Sequence, residues 1–251
     1  MTRARDIADV GYKDELVDDT TPQLGGALDA QSNIITSVGA LGVGTAAPAV
    51  NAHVQTTSGN PQIRVESTGA NYVTYSLKNS VRQYSAQIRT DQSNAFVIRD
   101  ETGGGNRLLI DASGRVTTPN QPSFTAHLTS NQAVTAYVDN TITGFTCPSH
   151  GNVGSHFNTS NGRFTAPVTG FYLFTGAIQT NTLSSLHIAF HMNGSAYESD
   201  SWIDHGSSTG GAELTRIMYL TANQYVTLVM LPTINQNVNA NRTRFQGYLL
   251  G

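Results

Sequence analysis

Charge is scarce in this chain of 251 residues: Asp, Glu, Lys and Arg make up 12% of it, about half the share usual in soluble proteins. Lysine occurs only at Lys13 and Lys78, and 14 basic against 17 acidic residues give a formal net charge of −3. Without a basic stripe to follow a phosphate backbone, nucleic-acid binding is disfavoured. Cysteine is limited to Cys147, which excludes an internal disulfide and a cysteine-ligated zinc site. No apolar run approaches the roughly 20 residues of a membrane helix, so no membrane insertion is expected. The opening Met1-Thr2-Arg3-Ala4-Arg5-Asp6 lacks the apolar stretch of an export signal. Long Ala/Leu/Glu/Lys stretches are also missing beyond the first turns. In their place stand 24 glycines with abundant Ser, Thr and Asn, the composition of a β protein. A surface so poor in charge associates readily in isolation. Much of it is therefore expected to be covered by other subunits, as in an obligate oligomer.

Three regions follow one another. Residues 1–48 hold 7 of the 17 acidic residues, all within the first 29 positions, and end in the Gly-rich Leu41-Gly42-Val43-Gly44-Thr45. With so few apolar side chains this segment buries no core of its own, apart from a short helix expected near Ala4 to Val10. Residues 49–119 read as a β-rich meander, with strands expected at Ile63–Glu66, Tyr72–Leu77, Tyr84–Arg89 and Ala95–Arg99, and a hairpin over Leu108–Val116. The unit is poor in large apolar side chains and needs neighbours to be stable. The two prolines of Thr117-Thr118-Pro119-Asn120-Gln121-Pro122 mark a domain boundary. From Ser123 to Gly251 the apolar content rises, with strands expected at Arg163–Phe174, Leu186–Met192, Leu214–Leu220, Tyr225–Leu231 and Arg244–Leu250. Phe171-Tyr172-Leu173-Phe174 and Tyr225–Leu231 are apolar on both parities. A sandwich strand needs one buried face, so a second apolar face implies a second burial surface. Phe171, Tyr172, Phe174 and Tyr225, from these runs, are candidate subunit-interface residues, together with Phe245 and Tyr248 of the last strand.

Catalytic patterns do not rise above background: the chain has no Gly-x-Ser-x-Gly elbow, His-Glu-x-x-His helix or P-loop. Gly103-Gly104-Gly105 sits between strands without a following Lys-Ser/Thr and reads as a hairpin tip. His187 and His191 share one face of a strand; that face is an ordinary polar one, or a metal site if it lined a three-fold axis. The binding candidate is Asn193–Gly211, read as a loop, where Tyr197, Trp202, Asp204 and His205 gather with Glu198 and Asp200. Aromatic faces beside carboxylates and amides suit sugars, stacking on the ring and bonding to hydroxyls. The competing reading buries Trp202, the only tryptophan, in the core or at an interface. Cys147 has no neighbouring His or Lys to activate it, and no Asp-rich loop is dense enough for calcium. No enzyme activity, cofactor or metal is expected.

Two resemblances add to these readings. Asn161-Gly162-Arg163-Phe164-Thr165-Ala166-Pro167-Val168-Thr169-Gly170-Phe171-Tyr172-Leu173-Phe174, then Asn193-Gly194, Leu220-Thr221-Ala222-Asn223-Gln224-Tyr225-Val226 and the terminal Arg244-Phe245-Gln246-Gly247-Tyr248-Leu249-Leu250 resemble the globular head of complement C1q and its tumour-necrosis-factor relatives. That resemblance implies a ten-stranded jelly-roll sandwich forming a homotrimer over residues 123–251. A collagen-like Gly-X-Y stem is missing, so an animal complement or adipokine role is not supported. The other resemblance is to bacteriophage virion fibre proteins. It rests on Asp19-Thr20-Thr21-Pro22-Gln23-Leu24-Gly25-Gly26-Ala27-Leu28-Asp29 with Asn33-Ile34-Ile35, on Leu41-Gly42-Val43-Gly44-Thr45-Ala46-Ala47-Pro48, and on Gly114-Arg115-Val116-Thr117-Thr118-Pro119 leading into Phe124.

Together these imply an all-β virion fibre or spike of a tailed bacteriophage: an extended anchor (1–48) on tail or capsid proteins, a β-rich stem (49–119) and a jelly-roll head (123–251). It would assemble in the host cytoplasm and reside in the virion. Its head would bind a host-surface glycan or protein, with three weak sites gaining avidity on one trimer. The alternative is a decoration protein whose head contacts other virion proteins.

Overall fold

Strand formation follows side-chain alternation wherever a partner strand takes up the backbone groups. The computed structural model describes residues 41–43, 49–197, 203–205 and 210–251. They fall into two compact units, one running through Arg64 and the other from Val65 to Gly251. In the first, β1 (Leu41–Val43) and β2 (Ala52–Val54) pair in parallel. The strand expected at Ile63–Glu66 does not form: Ile63 and Val65 are exposed, and the run joins no sheet among the described residues.

The second unit opens with an antiparallel five-stranded sheet. It comprises β3 (Val73–Lys78), β4 (Gln83–Arg89), β5 (Ala95–Asp100), β6 (Asn106–Ile110) and β7 (Val116–Thr117) in sequence order. The Gly-rich run is the tip between β5 and β6, where Gly104 and Gly105 take positive φ of 68° and 94°. A dense ionic network holds this end. The buried Asp100 carboxylate accepts bonds from Arg82 Nη1 at 2.6 Å, Arg107 Nη2 at 2.7 Å and the Gly103 N–H at 2.8 Å. The Gly103 N–H first, then Arg107, hold Asp100 below the ordinary carboxylate range.

The sandwich follows. Its strands are β8 (Ser123–Leu128), β9 (Gln132–Val134), β10 (Asn140–Thr141), β11 (Phe145–Thr146), β12 (Asn152–Val153), β13 (Phe157–Asn158), β14 (Arg163–Thr165) and β15 (Gly170–Gln179). They continue with β16 (Leu186–Met192), β17 (Ser195–Ala196), β18 (Ile203–His205), β19 (Gly211–Leu220), β20 (Tyr225–Pro232), β21 (Gln236–Val238) and β22 (Arg244–Leu249). One sheet runs β11-β8-β22-β15-β19 with β12 at its edge, and the other runs β13-β14-β20-β16-β17 with β10 and β18 beside it. From β14 onward the main strands β14, β15, β16, β19, β20 and β22 alternate between the two sheets, and the first and last strands of the sandwich, β8 and β22, pair with each other, which is a jelly roll. Short edge strands raise the strand count above ten.

The run read as one strand, Arg163–Phe174, is two strands in opposite sheets. Pro167 has no N–H for a ladder, and Ala166–Thr169 carries the crossover, tied by Ala166 N–H to the Gln224 carbonyl at 2.9 Å. Gly162, just before β14, has φ of 67°, and any Cβ there would collide with the Ile142 carbonyl.

The core between the sheets is aromatic. Phe124 stacks on Phe157 with centroids 4.3 Å apart and meets Phe245 edge-on at 4.9 Å. Phe145, Phe164, Tyr172, Phe174 and Phe190 complete the cluster. Each such ring, fully buried, contributes about 1.5–3 kcal/mol of transfer free energy. Gly247 makes room for them: it pairs with Phe124 on one side and Phe174 on the other, so all three positions face inward. The Tyr172 hydroxyl donates to the Val168 carbonyl at 2.7 Å, which satisfies the one polar atom of a buried ring.

Candidate functional site

The alternation that fills the core leaves an apolar face outside it. On β15 and its neighbours β19 and β22 the outward positions bring Phe171 opposite Tyr219, and Leu173 opposite both Ile217 and Tyr248. Phe171 (53% exposed), Ile217 (58%), Tyr219 (48%) and Tyr248 (44%) form one uncovered patch, with the Phe171 and Tyr219 rings 5.2 Å apart. Beside it runs a polar row in which Thr175 Oγ1 donates to Gln246 Oε1 at 3.2 Å and Gln246 Nε2 donates to Thr125 Oγ1 at 2.9 Å. A concavity of about 330 Å³ opens between them, lined by Thr125, His150, Leu173, Gln246 and Tyr248 among others. A large aromatic patch rimmed by hydrogen-bonding groups is the anatomy of a protein interface.

Of the six interface candidates, Phe171 and Tyr248 lie on this patch. Tyr172, Phe174 and Phe245 do not: they are fully buried inside the single chain, because β15 and β22 turn them inward with Gly247 and Phe124. Tyr225 is also elsewhere, half-buried on β20 of the other sheet, where the Arg163 guanidinium lies 4.2 Å from its ring centroid. Ile217 and Tyr219 were missed, although both stand at the odd positions of a strand whose even positions, Leu214, Met218 and Leu220, are buried.

The binding candidates fare differently. Tyr197 is half-buried and packs against the core cluster. Trp202 lies outside the described residues, as do Glu198 and Asp200. Asp204 and His205 belong to β18, pairing with His187 and Leu186 along the edge of β16. The stretch read as a continuous loop thus carries two short strands, β17 and β18, because the free edge of β16 recruits them.

Titratable groups in the sandwich are tuned by burial. Desolvation pushes the half-buried Cys147 thiol up, the opposite of nucleophile activation. It also lowers His156 and His191, and for His191 the nearby Asp139 opposes the shift. Among the described residues no group of three or more His, Cys, Asp or Glu side chains is placed to hold a metal ion, and no helix is long and apolar enough to cross a membrane.

A family model described as the C1q domain matches residues 123–250. The chain belongs to the C1q domain family. Its C1q domain begins at the first residue of β8 and ends one residue past β22, so the whole aromatic patch lies within it. Solved structures similar to the chain include the globular domain of zebrafish complement 1qA, at 16% identity over 52% of this chain and 98% of that one, with a TM-score of 0.38. Murine APRIL is similar at 11% identity, over 51% and 99% of the two chains, with a TM-score of 0.39. Eiger TNF from S. frugiperda is similar at 11% identity, over 52% and 94%, with a TM-score of 0.36. No curated protein sequence matches the chain.

Proposed function

We propose that this C1q-domain chain is a homotrimeric, non-enzymatic fibre or spike subunit of a tailed-bacteriophage virion, with residues 1–48 as anchor, 49–119 as stem and 123–251 as a head that recognises the host surface. The observation that carries the oligomer is the uncovered aromatic patch of β15, β19 and β22. Its four large side chains remain 44–58% exposed, so covering each would add about half of the ~1.5–3 kcal/mol that full burial of such a side chain brings.

The stem repeats the pattern. Register places Tyr75 opposite Ala86, Leu77 opposite Tyr84, and Ile88 opposite Val73 and Phe96, so one face of the sheet is apolar. Tyr75, Leu77, Tyr84, Ile88, Phe96 and Val116 are all exposed on it. A single-layer sheet with one apolar face needs a cover, and further copies of the same chain supply it. Three copies is the number that the head's resemblance to C1q and tumour-necrosis-factor domains leads us to expect. The virion assignment is supported by the fibre-like segments at 19–35, 41–48 and 114–119.

An adsorption competition assay tests the recognition role. Purified trimer added before the phage slows its adsorption to host cells. An intact trimer that leaves adsorption unchanged would instead place the head against other virion proteins.

A further inference from the structure

The second sheet carries a feature that neither the fold nor the trimer uses. Its outward face is recessed between β10, β14, β20 and the start of β17, forming a polar cavity of about 400 Å³, within the usual range for small-ligand pockets of about 300–1,000 Å³. Strand register builds it. Arg163 on β14, Thr227 on β20 and His191 on β16 are direct partners across three adjacent strands, so their side chains leave the same face in one row. Tyr225 follows two residues from Thr227 on that face, and Asp139 and Asn161 close the rim.

The floor is deeply set: Thr227 is 4% and His191 6% exposed, although both point away from the core. The walls are fixed. Asn161 Oδ1 accepts the Arg163 N–H at 3.1 Å, and the Arg163 guanidinium is held over Tyr225. Asn193, in the turn between β16 and β17, exchanges bonds with the Tyr225 backbone. Asp139 Oδ2 stands 3.8 Å from His191 Nε2.

We propose that this cavity is a binding site for a neutral sugar residue, held by Asp139, Asn161, Arg163, His191 and Thr227. The chemistry selects that class. One carboxylate and one guanidinium leave the lining without net charge, so neither sign of ligand charge is favoured overall. Burial lowers His191, disfavouring its charged form, so the floor of the cavity favours a hydrogen-bonding partner over an anion. A polyol matches this set, because each hydroxyl can donate to the Asp139 carboxylate or accept from Arg163. The cavity lies on the sheet opposite the aromatic patch, so assembly through that patch leaves it open. This deepens the recognition reading, on which it rests for a host-surface glycan as the source of the sugar, and moves the contact away from Tyr197 and Trp202.

The test is saturation-transfer NMR on the intact protein with the methyl glycosides of glucose, galactose, mannose, rhamnose and N-acetylglucosamine. At least one is expected to bind saturably. Asp139→Asn, Arg163→Gln and the near-isosteric Thr227→Val each weaken that binding by about tenfold or more while the thermal unfolding midpoint holds. If none of the glycosides binds, or if binding persists undiminished in all three variants, the site assignment is overturned. The recognition reading fails separately: native protein that binds sugar here without slowing adsorption keeps the site and loses the host role. Competition that Asp139→Asn leaves untouched keeps the host role and removes the site.

Discussion

Gly247 sits between two phenylalanines because nothing larger fits: a Cβ there would stand 2.5 Å from Phe124 and 2.7 Å from Phe174. Gly247→Ala overpacks the aromatic core and should destabilise the sandwich by about 1–3 kcal/mol, read as a lower midpoint in denaturant titration. Truncating a ring inside the cluster costs more, about 3–5 kcal/mol for Phe245→Ala. Phe171, on the exposed patch, behaves oppositely. Phe171→Glu should leave the secondary structure unchanged by circular dichroism and lower the native mass. The contrast separates residues that the sequence alone could not. Phe171-Tyr172-Leu173-Phe174 announces two apolar faces, and strand periodicity guarantees that alternate rings part company. Which pair goes inward depends on the register that sets Phe174 beside Gly247, and register between strands 73 positions apart is not written in either segment. The cavity around Thr227 was illegible for the same reason: Arg163, His191 and Thr227 come from three strands and meet only through pairing.

At the scale of elements, strands with a clear period and a paired neighbour were readable. Leu186–Met192 forms as expected, and the meander of β3 to β6 follows the alternation of Tyr72–Leu77, Tyr84–Arg89 and Ala95–Arg99 with small shifts at the ends. Two failures have physical causes: Pro167 divides the run Arg163–Phe174 between two sheets, and Ile63–Glu66 has strand-like residues but finds no ladder among the described residues. The five-stranded sheet also makes a pH prediction. Asp100 is held below its ordinary range by Gly103 and Arg107, and Glu101 by Ser85 and then Arg99. Above the unfolded values of about 4 both states are ionised and the stabilisation is complete. As pH falls below that towards the depressed folded values, the unfolded chain takes up protons first and the stabilisation is lost. These two carboxylates therefore add no pH dependence above about pH 5 and lower the unfolding midpoint on further acidification. Asp100→Asn, which leaves Arg82 and Arg107 facing a neutral amide, should lower the midpoint at pH 7 and flatten the acid limb. Thermal melts followed by circular dichroism over a pH series check both.

At the scale of the whole molecule, scarce charge and strands apolar on both parities point to association, and the structure exposes two apolar faces: one on the C1q domain, one on the five-stranded sheet. A chain carrying both as a monomer would present contiguous apolar surface of the kind that drives aggregation. Covering both with identical copies removes the problem at each place. Phe171→Glu combined with Tyr219→Glu puts charges into the head patch, and the double variant should lose trimers while its sandwich core stays intact. The most direct test of the account is the native mass of the full chain by sedimentation equilibrium. The full chain should sediment at about three times the 26.8 kDa of one chain, falling in the double variant. A well-folded native chain that sediments at 26.8 kDa across the micromolar range would contradict it.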